Sequence, residues 1–207
     1  MSIRFVITGA ALLALTACGG GGDGGTGVDL GAGPAGFDGL IAETERLTSY
    51  FSSTPTSTLP TNDTATYNGV IVIGQDLTAD ATPVSATGYI GQVAIAVDFG
   101  ASDANLSGTA NNFFSTNLKT NGDPDTRIAD LPENSDNELA FVGSGITGNN
   151  FVFTADGALE GVTVDGDMVG AFALSSARAL IARENGTDFL VGGDSWDARL
   201  AADDRSR

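Results

Sequence analysis

The first stretch of hydrophobic order along the chain runs from Phe5 to Leu15, an apolar segment broken only by Thr8 and Gly9 and preceded by Arg4. A helix needs ~20 apolar residues to cross a bilayer, and this run offers about half of that before a block of glycine ends it. It reads as the apolar core of a secretory signal. Order returns at Phe37, Leu40, Ile41, Leu47 and Phe51, which recur at helical spacing while Asp38, Glu43, Glu45 and Arg46 fall elsewhere around the wheel. One amphipathic helix is predicted, ending before Ser52. A Ser/Thr-rich connector with Pro55 and Pro60 follows.

From Tyr67 the period changes to two. Val70 to Ile73 is a short β-branched run, and Val93, Ile95, Val97 and Phe99 alternate with Ala94, Ala96 and Asp98. Leu106 to Phe114 and Leu139 to Val142 are weaker strand candidates, and Phe151 to Ala155 is a firmer one. Asp156-Gly157 and Asp165-Gly166 are the residue pairs that two-residue hairpin turns favour, so Phe151–Ala155, Leu159–Val164 and Met168–Phe172 are expected to form an antiparallel meander around them. Asn185-Gly186 is a further turn candidate leading to Phe189–Val191. The segment Ser175–Glu184 carries both helix-former and strand patterns and stays open, and Asn117–Glu138, with Pro124 and Pro132, is expected to be a long polar loop. About eight short strands and one N-terminal helix point to a mainly β fold, either a sandwich or a closed antiparallel barrel, since closure removes exposed sheet edges. A membrane-spanning barrel is disfavoured, because its strands need aromatic girdles and the chain has one Trp and three Tyr.

Composition narrows the functional classes. Twenty-six acidic residues against nine basic ones give a formal charge of −17, which repels nucleic-acid phosphates and anionic headgroups. A nucleic-acid partner is excluded on that ground. A single cysteine forbids an internal disulfide, and the lack of any histidine removes His-based triads, His general bases and His-ligated zinc or haem.

The cysteine has a more specific reading. Leu15-Thr16-Ala17-Cys18 resembles the lipobox of bacterial lipoproteins, and that resemblance implies cleavage before Cys18, a diacylglycerol on its thiol and processing by the lipoprotein machinery. Two or three acyl chains at ~0.8 kcal/mol per buried CH₂ hold a protein to a membrane without an apolar helix. Gly19 in place of Asp favours the outer membrane by analogy with lipoprotein sorting. Ten of the next eighteen residues, Gly19 to Gly36, are glycine, so that stretch is read as a tether of ~23 Å mean reach rather than as part of a core. The expected division is a signal peptide at 1–17, a tether at 18–36, helix and connector at 37–66, a barrel at 67–197 and a polar tail at 198–207.

Several segments are similar, in order, to the transferrin-binding-protein-like surface lipoproteins, relatives of the barrel domains of transferrin-binding protein B. They are GFDGLIAETERL at Gly36–Leu47, ATYNGV at Ala65–Val70, VDFGASDANLSG at Val97–Gly108, ITGNNF at Ile146–Phe151 and VDGDMVGAF at Val164–Phe172. Leu174 to Arg178 departs from the family, which continues with a Gly-Pro turn and an acidic helical turn. The resemblance implies a soluble eight-stranded β-barrel, carried to the cell surface by an export system and binding a host protein or a nutrient.

Other chemistry is thinly supported. Asn121, Asp123 and Asp125 begin like a calcium loop, but Arg127 and Ile128 stand where further oxygen ligands belong, so a solvated acidic loop is preferred and no metal site is assigned. Asp165 and Asp167 are explained by the turn glycine between them. Tyr50, Tyr67 and Tyr89 could in principle ligate ferric iron or haem, yet packing accounts for them. No spacing selects a carboxylate pair for hydrolysis, and the glycine-rich stretches lack the context of nucleotide loops. The sequence therefore predicts a non-enzymatic binding module without a cofactor, anchored through Cys18, with an unknown protein or small-molecule ligand. A periplasm-facing lipoprotein of structural or envelope-maintenance role, with no soluble ligand, is the alternative.

Overall fold

The computed structural model describes residues 34–204 apart from 57, 62, 76, 78–86 and 101–104. Cys18, the signal segment and most of the tether lie outside the described residues. The chain opens with helix α1 (Pro34–Thr48), three residues ahead of the expected start, with Pro34 at the first position, where a missing N–H is harmless. A 3-10 turn (Ser49–Ser52) follows.

Eleven strands come next: β1 (Thr64–Gly74), β2 (Thr87–Asp98), β3 (Asn105–Leu118), β4 (Pro124–Asp130), β5 (Glu138–Ser144), β6 (Asn150–Leu159), β7 (Val162–Ala173), β8 (Ala179–Glu184), β9 (Leu190–Val191), β10 (Asp194–Ser195) and β11 (Asp197–Asp203). Eight of them, β1, β2, β3, β5, β6, β7, β8 and β11, pair antiparallel in a closed ring, because β8 bonds both β7 and β11 and β11 bonds β1. The mainly β, closed eight-stranded antiparallel barrel is thus the observed architecture. Strand β4 extends the edge of β3 beyond β5, and the β9–β10 hairpin continues the wall beside β7.

The barrel interior is filled. Tyr67, Ile71, Val93, Ile95, Phe141, Phe153, Met168, Phe172, Leu180 and Leu200 are all buried inside it, and the rings of Phe151, Phe99 and Tyr67 lie 4.9, 5.2 and 5.9 Å from that of Phe172. Gly170 makes room for this stack, since a Cβ there would meet the Phe151 ring at 2.4 Å. The outer wall carries Asp98, Thr154, Asp156 and Asp165 in exposed positions.

A second apolar layer lies outside the ring. Phe37, Leu40 and Leu47 of α1 pack on Val70, Val72, Ile90, Phe114 and Ala201, so α1 covers β1, β2, β3 and β11 from without. This explains why Val70–Ile73 is apolar without alternation: both faces of that half of β1 are buried. It also explains the adjacent rings of Phe113 and Phe114. A bulge opposite Gly91, with Asn112 in a left-handed conformation (φ 51°), turns Phe113 into the barrel and Phe114 out against Phe37 at 5.6 Å.

Several expectations are corrected. Asp156-Gly157 and Asp165-Gly166 do not turn the chain: they lie within β6 and β7, with Asp156 opposite Asp165. The turn between those strands is Glu160-Gly161 (φ 51° and 73°), and a second two-residue turn is Gly192-Gly193 (φ 64° and 88°). Ser175–Glu184 resolves into a 3-10 turn at Ser175–Ala177 and strand β8. Within the expected loop 117–138 sits β4. The stretch beginning at 198, read as a polar tail, instead supplies β11, in which Leu200, Ala201 and Ala202 are buried. Alternate placement of Ala198, Leu200 and Ala202 inside the ring drives that strand, and the flanking Arg and Asp residues disguised it.

Candidate functional site

An apolar concavity lies on the outer wall, outside the filled barrel interior. It is a groove of about 490 Å³ over β6, β7 and β8. Register places Val152 opposite Val169 and Val169 opposite Arg183, while Ala171 sits between Asn150 and Ile181. Val152 and Val169 are 46% and 39% exposed, high values for β-branched apolar side chains. Between that pair and Ile181 the floor drops, because the outward-facing Ala171 offers only a methyl group. Phe51, from the 3-10 turn after α1, is also part of the lining.

Arg183 stands at the groove with its guanidinium 4.9 Å from the centre of the Phe51 ring, a cation–π distance. It forms no salt bridge among the described residues, whereas Arg46, Arg127 and Arg199 each do. Arg46 is engaged by two carboxylates, donating from Nη2 to Glu43 at 2.5 Å and from Nη1 to Asp203 at 2.6 Å. That bonding pushes the Arg46 pKa further above its ordinary range, first through Glu43 and then Asp203. The contact fixes α1 to β11.

A second cluster plugs the barrel end formed by the β6–β7 turn and the chain leading into β11. The Tyr89 ring stacks on Trp196 at 5.9 Å, and its hydroxyl donates to Glu160 Oε2 at 2.8 Å. Burial and that bond push the phenol up to about 12. Nearby in sequence, the Glu184 carboxylate accepts the Ala198 N–H at 3.0 Å, and burial raises its pKa. At the other end, Leu174, Ser176 and Ala177 all adopt positive φ, and Tyr67 donates its hydroxyl to the Ala177 carbonyl at 2.5 Å. Three positive-φ non-glycine residues within four positions strain this turn between β7 and β8.

The sequence-level candidates do not converge. Asp123 accepts from Arg199 at 2.6 Å and from Asn121 at 2.6 Å, so its carboxylate is neutralised by a guanidinium, while Asp125 points into solvent on β4. Asp165 and Asp167 lie mid-strand on the outer wall, and Asp167 accepts from Thr154. Tyr50 joins the Arg46–Asp203 contact, Tyr67 is interior and Tyr89 is at the plugged end, so the three phenols share no site. Among the described residues no group of three or more His, Cys, Asp or Glu side chains could hold a metal ion. The groove was not singled out by sequence; its signal was Val152 and Val169, apolar residues at outward positions of otherwise alternating strands.

No family model matches the chain, and no curated protein does. Among solved structures, the chain is similar to two mutant forms of the vaccine antigen transferrin-binding protein B from Haemophilus parasuis Hp5. Identity is 18% and 19%, with TM-scores of 0.40 and 0.41; each match covers 73% of this chain and 28% of that one.

Proposed function

We propose that the protein is an outer-membrane lipoprotein, fastened through Cys18, whose barrel is a non-enzymatic binding module displayed at the cell surface with its ligand seat in the groove over β6–β8. One observation carries the binding reading: the barrel interior is full, while the outer wall holds an apolar depression bordered by a cation that forms no salt bridge among the described residues. Anchoring is supported by Leu15-Thr16-Ala17-Cys18 and by the glycine-rich stretch after it, which lets the domain stand off the headgroups. The sequence resemblance adds the class of ligand, a nutrient or a host protein such as transferrin, with iron acquisition among the roles it suggests.

The test has two arms. Cells given an alkyne palmitate should label the wild-type chain and leave Cys18→Ser unlabelled and released from the membrane fraction. Protease added to intact cells should remove the domain. Protection of the domain would instead place it on the periplasmic side, with an envelope-maintenance role in place of ligand capture.

A further inference from the structure

We infer that the groove over β6–β8 takes a single-chain anionic amphiphile, a free fatty acid, with the alkyl chain along Val152, Val169 and Ala171 and the carboxylate on Arg183. The inference rests on the groove being the ligand seat, as proposed above, and adds the chemistry of what fills it.

Three observations set that chemistry. The lining is apolar along β6 and β7, where Val152 and Val169 leave 46% and 39% of their surface in water, so an alkyl chain laid there removes surface that the fold itself leaves uncovered. At about 490 Å³ the space sits toward the small end of the ~300–1,000 Å³ typical of small-molecule sites, which suits one chain rather than the two of a phospholipid. Charge then selects the headgroup. In a chain of net charge −17 an anion is repelled over most of the surface, and Arg183 is the cation in the groove lining. Its guanidinium lies against the Phe51 ring and forms no salt bridge among the described residues, leaving its planar fork able to take both oxygens of a carboxylate. At physiological salt the screening length is about 8 Å, which damps the acidic residues farther away, and the neighbouring Glu184, which interacts electrostatically with Arg183, has its carboxylate engaged by the Ala198 N–H.

The probes are decanoate, decanol and decyltrimethylammonium, titrated below their micellar concentrations into the chain from Gly19 onward and followed by calorimetry at neutral pH. Decanoate is expected to saturate one site and to bind at least tenfold more tightly than decanol, with the ammonium weakest. Arg183→Gln should bring decanoate down to the level of decanol. Ala171→Phe should fill the floor and abolish binding of all three, with thermal unfolding of both variants checked to show that the barrel is intact. Equal binding of decanoate and decanol, or a preference that survives Arg183→Gln, overturns the assignment of a carboxylate while leaving the groove as the seat. Binding that survives Ala171→Phe overturns both. If decanoate does not bind, but Ala171→Phe releases a protein that the wild-type chain retains, the groove belongs to a protein partner and the fatty-acid assignment fails.

Discussion

Arg46 on the first helix and Asp203 on the last strand meet in a two-pronged contact, Nη1 to Oδ2 at 2.6 Å and Nη2 to Oδ1 at 2.9 Å, across 157 residues of sequence. Glu43, with its side chain 4% exposed, shares the same guanidinium. Removing Arg46 leaves two little-exposed carboxylates facing each other without their cation, whereas removing Asp203 leaves Arg46 paired with Glu43. Arg46→Met should therefore cost more than Asp203→Asn in urea unfolding. The Arg46 side chain is 38% exposed, so screening holds the larger cost to about 1–2 kcal/mol, below the ~3–5 kcal/mol of a fully buried pair. Equal costs would show that Glu43 takes no part.

Ser176 has φ 56° and ψ 33°, a left-handed conformation without glycine's freedom, in the turn between β7 and β8. An L-residue held there loses ~1–2 kcal/mol relative to the right-handed form. Ser176→Gly should raise stability by up to about 1 kcal/mol, part of the relief being offset by the wider freedom of glycine in the unfolded chain. An unchanged or lower unfolding midpoint would count against strain at this turn.

Burial raises the Glu184 pKa above the usual glutamate range. The folded state therefore holds this proton more tightly than the unfolded state, and its contribution to stability is complete below the unfolded pKa and lost as pH rises through the folded one. Glu184→Gln keeps an acceptor for the Ala198 N–H and removes the charge. It should be more stable than wild type at neutral pH, with the difference shrinking as pH falls below the glutamate range. Parallel stability–pH curves for the two proteins would refute this.

At Gly69 a Cβ would come within 2.0 Å of the Ala201 carbonyl oxygen, a backbone atom of the closing strand. Gly69→Ala must push β1 from β11, and about 1–3 kcal/mol of destabilisation is expected by chemical unfolding, the usual cost of overpacking.

Ending the chain at Trp196 removes β11, the neighbour of both β1 and β8. Loss of the cooperative thermal transition is expected, because the ring opens and Ile71 and Leu180 lose their cover. A truncated chain that still melts sharply would show that β11 is dispensable.

How much of this was readable in advance can be argued residue by residue. Strands with clean alternation, such as Val93 to Phe99, were legible because one face is core and the other is water. Val70–Ile73 and Phe113-Phe114 broke that rule because α1 covers the outside of the ring and a bulge at Asn112 shifts the register, facts that no local window contains. The Asp-Gly pairs misled for a different reason. Gly166 is placed by a tertiary demand, since a Cβ there would strike the Phe189 backbone at 2.5 Å, and turn preference has no part in it. Glu160 makes the real turn although glutamate is a poor resident of positive φ, with its N–H bonded to Asn137 Oδ1 at 2.7 Å. The groove escaped notice because part of its lining is Phe51, about a hundred residues before the strands it borders.

The pairing of β1 with β11, from Asn68 against Asp203 to Gly74 against Asp197, has a temporal meaning as well as a spatial one. Ribosomes and translocation pores deliver the amino end first, so seven staves of the cask wait for the eighth. Until residue 203 emerges the β1 edge has no mate, and a late, slow final step governed by distant partners follows. Closing the cask is therefore the last pairing that the order of synthesis permits.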